Sequence, residues 1–328
     1  MNKLNVSLSP HVHSGNSVQA CMRDVLIALA PALLLSFWFF GLGAVVVTLT
    51  SVAACVLFEY LIQKYMLKVT PTTGDLSAVL TGVLLAFNVP SNLPIWIVII
   101  GALVAIGVGK MAFGGLGCNI FNPALVGRVF LLIAYPVQMT TWPESGAMGY
   151  VDVETAATPL ALFTQWFADG CPGSVADIAG MPTALEALFG ATGGAMGEVS
   201  AFALLLGLVY LLIRKTITWH IPVAVFAAAW IMALICGYGI DGATIMLLTG
   251  GMMLGGIFMA TDYVSSPMNS KGQLIYGACI GALTILIRRF GAYPEGMSFA
   301  ILIMNAFTPL INAYVKPTRY GVVKAAKK

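Results

Sequence analysis

Residues 243–260 read ATIMLLTGGMMLGGIFMA, and residues 76–89 read LSAVLTGVLLAFNV. Both are apolar runs of the kind that crosses lipid, but both are short and interrupted by Thr and Gly. That composition suits discontinuous helices packed against protein better than helices facing lipid. The two runs share a triplet, Leu80-Thr81-Gly82 in one and Leu248-Thr249-Gly250 in the other. A second signature also occurs twice: Asn119, Phe121 and Pro123 recur as Asn305, Phe307 and Pro309. Each recurrence lies five apolar runs after its first copy. An odd number of crossings per half places the halves in opposite orientations, which is the inverted-repeat architecture of many transporters.

The remaining apolar runs follow the same measure of about 20 residues per crossing. They lie near 23–41, 43–63, 94–111, 120–137, 199–213, 221–238, 273–288 and 297–314. With the two above they predict an all-α polytopic membrane protein of about ten transmembrane helices in two inverted five-helix repeats. Composition agrees. Hydrophobic residues make up 59% and charged residues 9% of the 328, against about 45–50% and about 25% in soluble domains. Mean hydropathy is +0.92. So little charge cannot cover the surface of a soluble globule this size, which excludes a soluble enzyme, a nucleic-acid binder and a disordered chain.

Charge sets the expected topology, because cytoplasmic loops retain Lys and Arg. With the N-terminus inside, 13 of the 16 basic residues fall in cytoplasmic segments. Arg128 falls within a span, and Arg288 and Arg289 land on the far side. No Lys or Arg occurs between Arg128 and Arg214, and that stretch carries seven of the 13 acids. The expected organisation is a cytoplasmic segment 1–22, a first five-helix repeat 23–137, an extracytoplasmic loop 138–198, a second repeat 199–314 and a basic cytoplasmic tail 315–328. The polar first 20 residues lack the early apolar region of a cleavable signal peptide.

Few residues offer catalytic chemistry. The six cysteines are scattered singly, which argues against a cluster, a zinc site or a disulfide framework. His11, His13 and His220 all lie outside the spans. Gly114, Gly115 and Gly117 open no nucleotide-binding loop; they are expected to turn a tight corner ahead of a helix that starts at Asn122-Pro123. Asp24, Glu59, Arg128, Asp241 and Asp262 are the charges in or near spans. An ionisable group at membrane depth is expensive, but most of these are expected at an interface. Asp262 is the best candidate for a polar site.

The outer loop holds the string Asp152-Val153-Glu154-Thr155-Ala156-Ala157-Thr158-Pro159-Leu160. Asp152, Thr155, Ala157 and Thr158 fit the pattern D-x-x-[ST]-x-A-T. This resembles the sequence at which a flavin transferase attaches FMN, through its phosphate, to a threonine hydroxyl. The usual glycine before the alanine is replaced by Ala156. Other strings accompany it in order. They include Ser9-Pro10-His11, residues 114–124 (GGLGCNIFNPA), Gly193-Gly194-Ala195-Met196-Gly197-Glu198, Trp219-His220-Ile221-Pro222, residues 291–296 (GAYPEG) and Pro317-Thr318-Arg319-Tyr320-Gly321.

Together these strings resemble the D subunits of Rnf electron-transport complexes over almost the whole chain. The resemblance implies a membrane flavoprotein of a bacterial inner-membrane complex with subunits A, B, C, E and G. Such complexes couple electron transfer between ferredoxin and NAD to movement of sodium ions or protons. It implies covalent FMN on Thr158, with Asp152, Thr155 and Ala157 as the rest of the attachment motif. The nearest partner would be the FMN-bearing G subunit, and a flavin transferase would act during maturation. It extends to a non-covalent riboflavin among the helices, on which the residues themselves say nothing. Two alternatives stay open: a B-type subunit of the sodium-translocating NADH:quinone reductase, which carries a longer N-terminal part, and a non-redox inverted-repeat permease.

Overall fold

A computed structural model describes residues 17–143, 146, 157–170, 175, 178–190, 193–198, 200–291, 293 and 295–316. Asp152 and Thr155 lie outside the described residues. The described chain forms helices and no strand.

The first helix, α1 (Val18–Leu61), starts at Ser17, whose side chain accepts the backbone N–H of Ala20. It is broken at Gly41, where φ is 56° and ψ is −135°, a conformation open to glycine and costly for other residues. The break falls where two spans were expected to meet. Then follow α2 (Ser77–Phe87), α3 (Ile95–Gly107), α4 (Pro123–Ala134) and the short α5 (Pro136–Met139). The segment expected as an outer loop contains α6 (Pro159–Ala168) and α7 (Ala184–Phe189). The second half comprises α8 (Ala201–Ile213), α9 (His220–Ile235), α10 (Gly239–Leu248), α11 (Met252–Leu254, continued as a wider turn over Gly255–Met259), α12 (Ser270–Phe290) and α13 (Met297–Tyr314).

Among the described residues, four stretches are long and apolar enough to cross a bilayer: Val18–Leu67, Ile95–Phe113, Ser270–Phe290 and Met297–Tyr314. The pair Gly239–Leu248 and Met252–Met259, bent by 63°, makes a fifth if it is one span. At 1.5 Å per residue, the 50 residues of Val18–Leu67 run to about 75 Å, far beyond a hydrocarbon core of about 30 Å. The break at Gly41 divides that length. The helices α2, α4, α8 and α9 are shorter than a straight crossing requires.

Packing repeats between the halves. In the first, α1 packs on α2 and α3, and α3 on α4; in the second, α9 packs on α10 and α12, and α12 on α13. The α9–α12 approach is close because Gly277 and Gly281 face Ala224, Val225 and Ala229; a Cβ on Gly281 would lie 2.3 Å from the Val225 carbonyl oxygen. Small residues spaced by four are the usual means of bringing membrane helices together.

The recurring triplets, however, occupy unlike local structure. Thr81 and Gly82 sit inside an unbroken helix, so the expected discontinuity in that run is absent. Thr249 and Gly250 form the break between α10 and α11. Pro123 is the first residue of α4, capped by Asn122, whereas Pro309 is inside α13. Leu76 and Gly251 share a conformation instead. Each caps its helix in the left-handed conformation, with φ of 64° and 66°. A short residue pattern carried the first pairing; backbone geometry at the helix starts carries the second.

Candidate functional site

The helix α4 runs between two groups of buried polar residues. Its first residues, Asn122 and Pro123, line a cavity of about 100 Å³ together with Ser77, Lys110, Asn119 and Asp262. Near its other end, Leu132 lines a cavity of about 230 Å³ together with Trp142, Ala157, Thr158, Tyr293 and Glu295.

At the first end, Lys110 is 1% and Glu59 0% exposed. The Lys110 Nζ donates to both carboxylate oxygens of Glu59 at 2.8 Å and to the Ser77 Oγ at 2.6 Å. Gln63 supports the pair: its Nε2 donates to Glu59 at 3.3 Å and to the Thr72 Oγ1 at 2.8 Å. Every N–H of the ammonium is therefore placed. Glu59 is buried in the protein because its partner arrives 51 residues later, from just after α3. The glycine corner is as expected: Gly114, Gly115 and Gly117 all have positive φ. Asn122 accepts the N–H of Ala124 at 3.1 Å to start α4. Asp262 lines this cavity and accepts from the Ser265 hydroxyl at 3.1 Å; burial holds its carboxyl above the usual carboxylate range, against hydrogen bonds from Val264, Ser265 and Asn119. Asp241 is exposed in the first turn of α10, and Asp24 pairs with a half-exposed Arg214 at 3.1 Å.

At the second end, Thr158 is the N-cap of α6. Its Oγ1 accepts the Ala161 N–H at 3.3 Å, and Pro159 occupies the first helical position, where a missing donor costs nothing. Ala157 is exposed, Thr158 half-buried, and Pro159 and Leu160 buried, so the hydroxyl stands where solvent meets the packed helix. The helix is anchored by Phe163 and Phe167 against Tyr238, with ring centroids 5.4 and 4.7 Å apart, and by the Arg289 guanidinium 3.6 Å above Phe167.

Besides the 230 Å³ cavity, Thr158 lines a smaller one with Gly193, Glu198, Thr249, Gly250 and Glu295. Behind these walls stand two buried arginines, neither expected there from the sequence. Arg288 donates to the carbonyls of Met246, Thr249 and Gly250 at 2.6, 3.1 and 2.7 Å, satisfying the acceptors left open by the helix break. Arg128 pairs with Glu295 and donates to the Ser298 hydroxyl. The Glu198 carboxylate lies between them and accepts the N–H groups of Ala195 and Gly250; burial raises its pKa above the usual carboxylate range, and Arg128 and Arg288 oppose that rise. The Nε of each arginine has no acceptor among the described residues.

Of the four attachment-motif positions, the structure places Ala157 and Thr158 at these cavities. Glu198 and Glu295, which line these cavities with Thr158, and their arginine partners Arg128 and Arg288 were legible only as isolated charges. A span-embedded Arg128 and an Arg288 on the far side were the signals available.

The fold defines a multi-pass, all-helical membrane protein with buried charge gathered at the two ends of its core. The chain belongs to the NQR2, RnfD, RnfE family, whose model matches residues 5–321. It is similar to the D subunit of the Na(+)-translocating ferredoxin:NAD(+) oxidoreductase complex of Acetobacterium woodii, at 44% identity over 100% of this chain and 99% of the relative. It is also similar to the D subunit of the proton-translocating ferredoxin:NAD(+) oxidoreductase complex of Clostridium ljungdahlii, at 40% identity over 98% and 97%. The D subunit of the ion-translocating oxidoreductase complex of Actinobacillus succinogenes matches at 34% identity over 95% and 96%.

Proposed function

We propose that this protein is the D subunit of an ion-translocating ferredoxin:NAD oxidoreductase and relays electrons through FMN esterified to Thr158. The observation that carries the reading is the position of Thr158. The residue at the acceptor place of the attachment motif is a half-buried N-cap at the mouth of two cavities, with buried arginines behind them. Names and full-length similarity of the relatives support the complex. One relative is named for sodium and another for protons, and the coupling ion here is one of these two.

The residues present suit a phosphate ester. The N-terminus of α6 offers N–H groups and the positive end of a helix dipole to an anion, and the Nε atoms of Arg128 and Arg288 have no acceptor among the described residues. When bound, FMN supplies one- and two-electron chemistry. The chain's own part is to hold it: Thr158 supplies the oxygen, α6 fixes its position, and Trp142 and Tyr293 are aromatic walls of the larger cavity. Attachment forms an Oγ1–P bond; the hydroxyl proton passes to a base of the transferase, and the leaving group of an activated flavin phosphate departs. A non-covalent riboflavin fits less readily. The cavity beside Lys110 holds about 100 Å³, below the ~150 Å³ of an engineered cavity that binds benzene, so it must widen to take an isoalloxazine.

In this reading both termini are cytoplasmic, residues 138–198 face outward from a bacterial inner membrane, and the ten apolar segments form two inverted five-helix repeats. Subunits A, B, C, E and above all G are the partners, with the bilayer as solvent. The test is in-gel flavin fluorescence of denatured protein, co-expressed with its transferase. Wild type and Thr155→Val should fluoresce, and Thr158→Val should not. Full fluorescence in Thr158→Val refutes the acceptor assignment; a dark wild type favours a non-redox permease.

A further inference from the structure

Two carboxylates, Glu198 and Glu295, line the smaller Thr158 cavity, and two arginines contact its wall residues, Arg288 at Gly250 and Arg128 at Glu295; the four formal charges cancel. A threonine–FMN phosphodiester carries one further negative charge. Placed beside Glu198 and Glu295, both of which line the smaller cavity with the half-buried Thr158, it leaves one anion in excess against the two buried arginines. Uncompensated buried charge is strongly disfavoured, so one carboxylate must leave or take a proton.

The two are not equally held. Glu198 accepts two backbone N–H groups and lies between both arginines. Glu295 lies in the turn between α12 and α13, its side chain 14% exposed. It is also the only one of the two that lines both cavities. Its charged partner is Arg128, whose side chain is 3% exposed and needs an acceptor there. A guanidinium is a planar fork that matches phosphate as well as carboxylate.

We propose that Arg128 is the positioning residue for the phosphate of the flavin on Thr158, and that Glu295 holds that place in the unmodified chain and yields it when the ester forms. The inference rests on the reading of Thr158 as the acceptor. Arg128 thus stays paired throughout. Glu295 moves toward solvent, the direction open to it, and Glu198 stays with Arg288. Flavin attachment is then an exchange of anions on one buried cation, and no charge is buried anew.

The experiment uses the full chain, co-expressed with limiting flavin transferase and purified in detergent, with flavin per chain read by in-gel fluorescence. Glu295→Gln removes the competing anion and keeps Arg128; flavin per chain should match wild type or exceed it by a few-fold. Arg128→Gln should lower it about tenfold, the order expected for losing a charge-assisted contact to phosphate, and Arg128→Lys should recover part of the loss. The double variant Arg128→Gln/Glu295→Gln separates this role from a structural ion pair. A merely structural pair predicts recovery when both charges go, whereas a phosphate site predicts that the double variant stays as poor as Arg128→Gln. Recovery in the double variant, or a fall below half of wild type in Glu295→Gln, overturns the proposal. If Arg128→Gln does not elute as a single species, the Glu295→Gln result alone decides. Bright wild type with unchanged Arg128→Gln refutes this inference and leaves the acceptor reading standing; a dark wild type removes both.

Discussion

At one end of α4, Lys110 has all three N–H donors placed, two on Glu59 and one on Ser77. On the Thr158 side, Arg128 from the middle of α4 and Arg288 each keep an Nε with no acceptor among the described residues, and the carboxylates near them line cavities instead of being sealed away. The two cations that reach the helix starts occupy comparable places in the two halves. Lys110 follows α3 and reaches Ser77, the first residue of α2; Arg288 is near the end of α12 and reaches the turn before α11. The same architectural position is thus used in two ways. A fully satisfied buried pair fixes structure, and an incompletely satisfied one beside a cavity keeps donors without an acceptor among the described residues.

The contrast can be broken most easily at the satisfied end. Lys110→Met strands the Glu59 carboxylate in a buried site without its cation, and is expected to destabilise the protein by about 3–5 kcal/mol. The double variant Lys110→Met/Glu59→Leu should recover most of that, because it removes both charges. Apparent melting temperature in detergent measures both. Equal loss in single and double variants would show that the ion pair is not what holds this end.

Gly250→Ala tests the other end. A Cβ there would lie 2.3 Å from the Leu160 Cδ1 and 2.5 Å from the Arg288 Nη2, at a φ of +70°. Overpacking and left-handed strain together are expected to cost about 2–4 kcal/mol, and displacement of Leu160 should lower flavin attachment at the adjoining Thr158. Gly117→Ala is the control. Its φ is +92° but nothing lies within 4 Å of the added carbon, so only strain of about 1–2 kcal/mol is expected. If the two variants melt together, close packing at the helix break is not the determinant.

A smaller effect concerns pH. The Asp262 carboxyl is held above its ordinary value of 3.8 by burial, so the folded state binds its proton more tightly than the unfolded chain. Its stabilising contribution is complete below 3.8 and is lost as pH rises through the folded value. Asp262→Asn should therefore flatten the decline of melting temperature as pH rises above 3.8. An unchanged profile assigns that decline to other groups. The smallest effect is expected at the half-exposed Arg214–Asp24 pair: Asp24→Asn should cost about 1 kcal/mol or less and fade with added salt.

Sequence alone determined the membrane class, the helical secondary structure and the places where helices start and break most sharply. Composition, the Asn122-Pro123 start, the glycine corner at 114–117 and the meeting of two runs near Gly41 are local properties, set by transfer energy and backbone conformational freedom over a few residues. Thr158, the proposed acceptor, was singled out the same way, from a contiguous string. What the tertiary structure decided is which charges are buried and with whom. Lys110 counted as a loop cation and Glu59 as an interfacial acid until packing brought them together across 51 residues, and Arg128 meets Glu295 only because α4 packs against α13. The cost of a buried charge depends on its partner's position in space, and no local pattern in the chain encodes that distance. The mismatch of the recurring triplets has the same origin: three residues specify composition, whereas the bend between Leu248 and Met252 exists because Arg288 and Glu198, from elsewhere in the fold, satisfy the backbone groups it exposes.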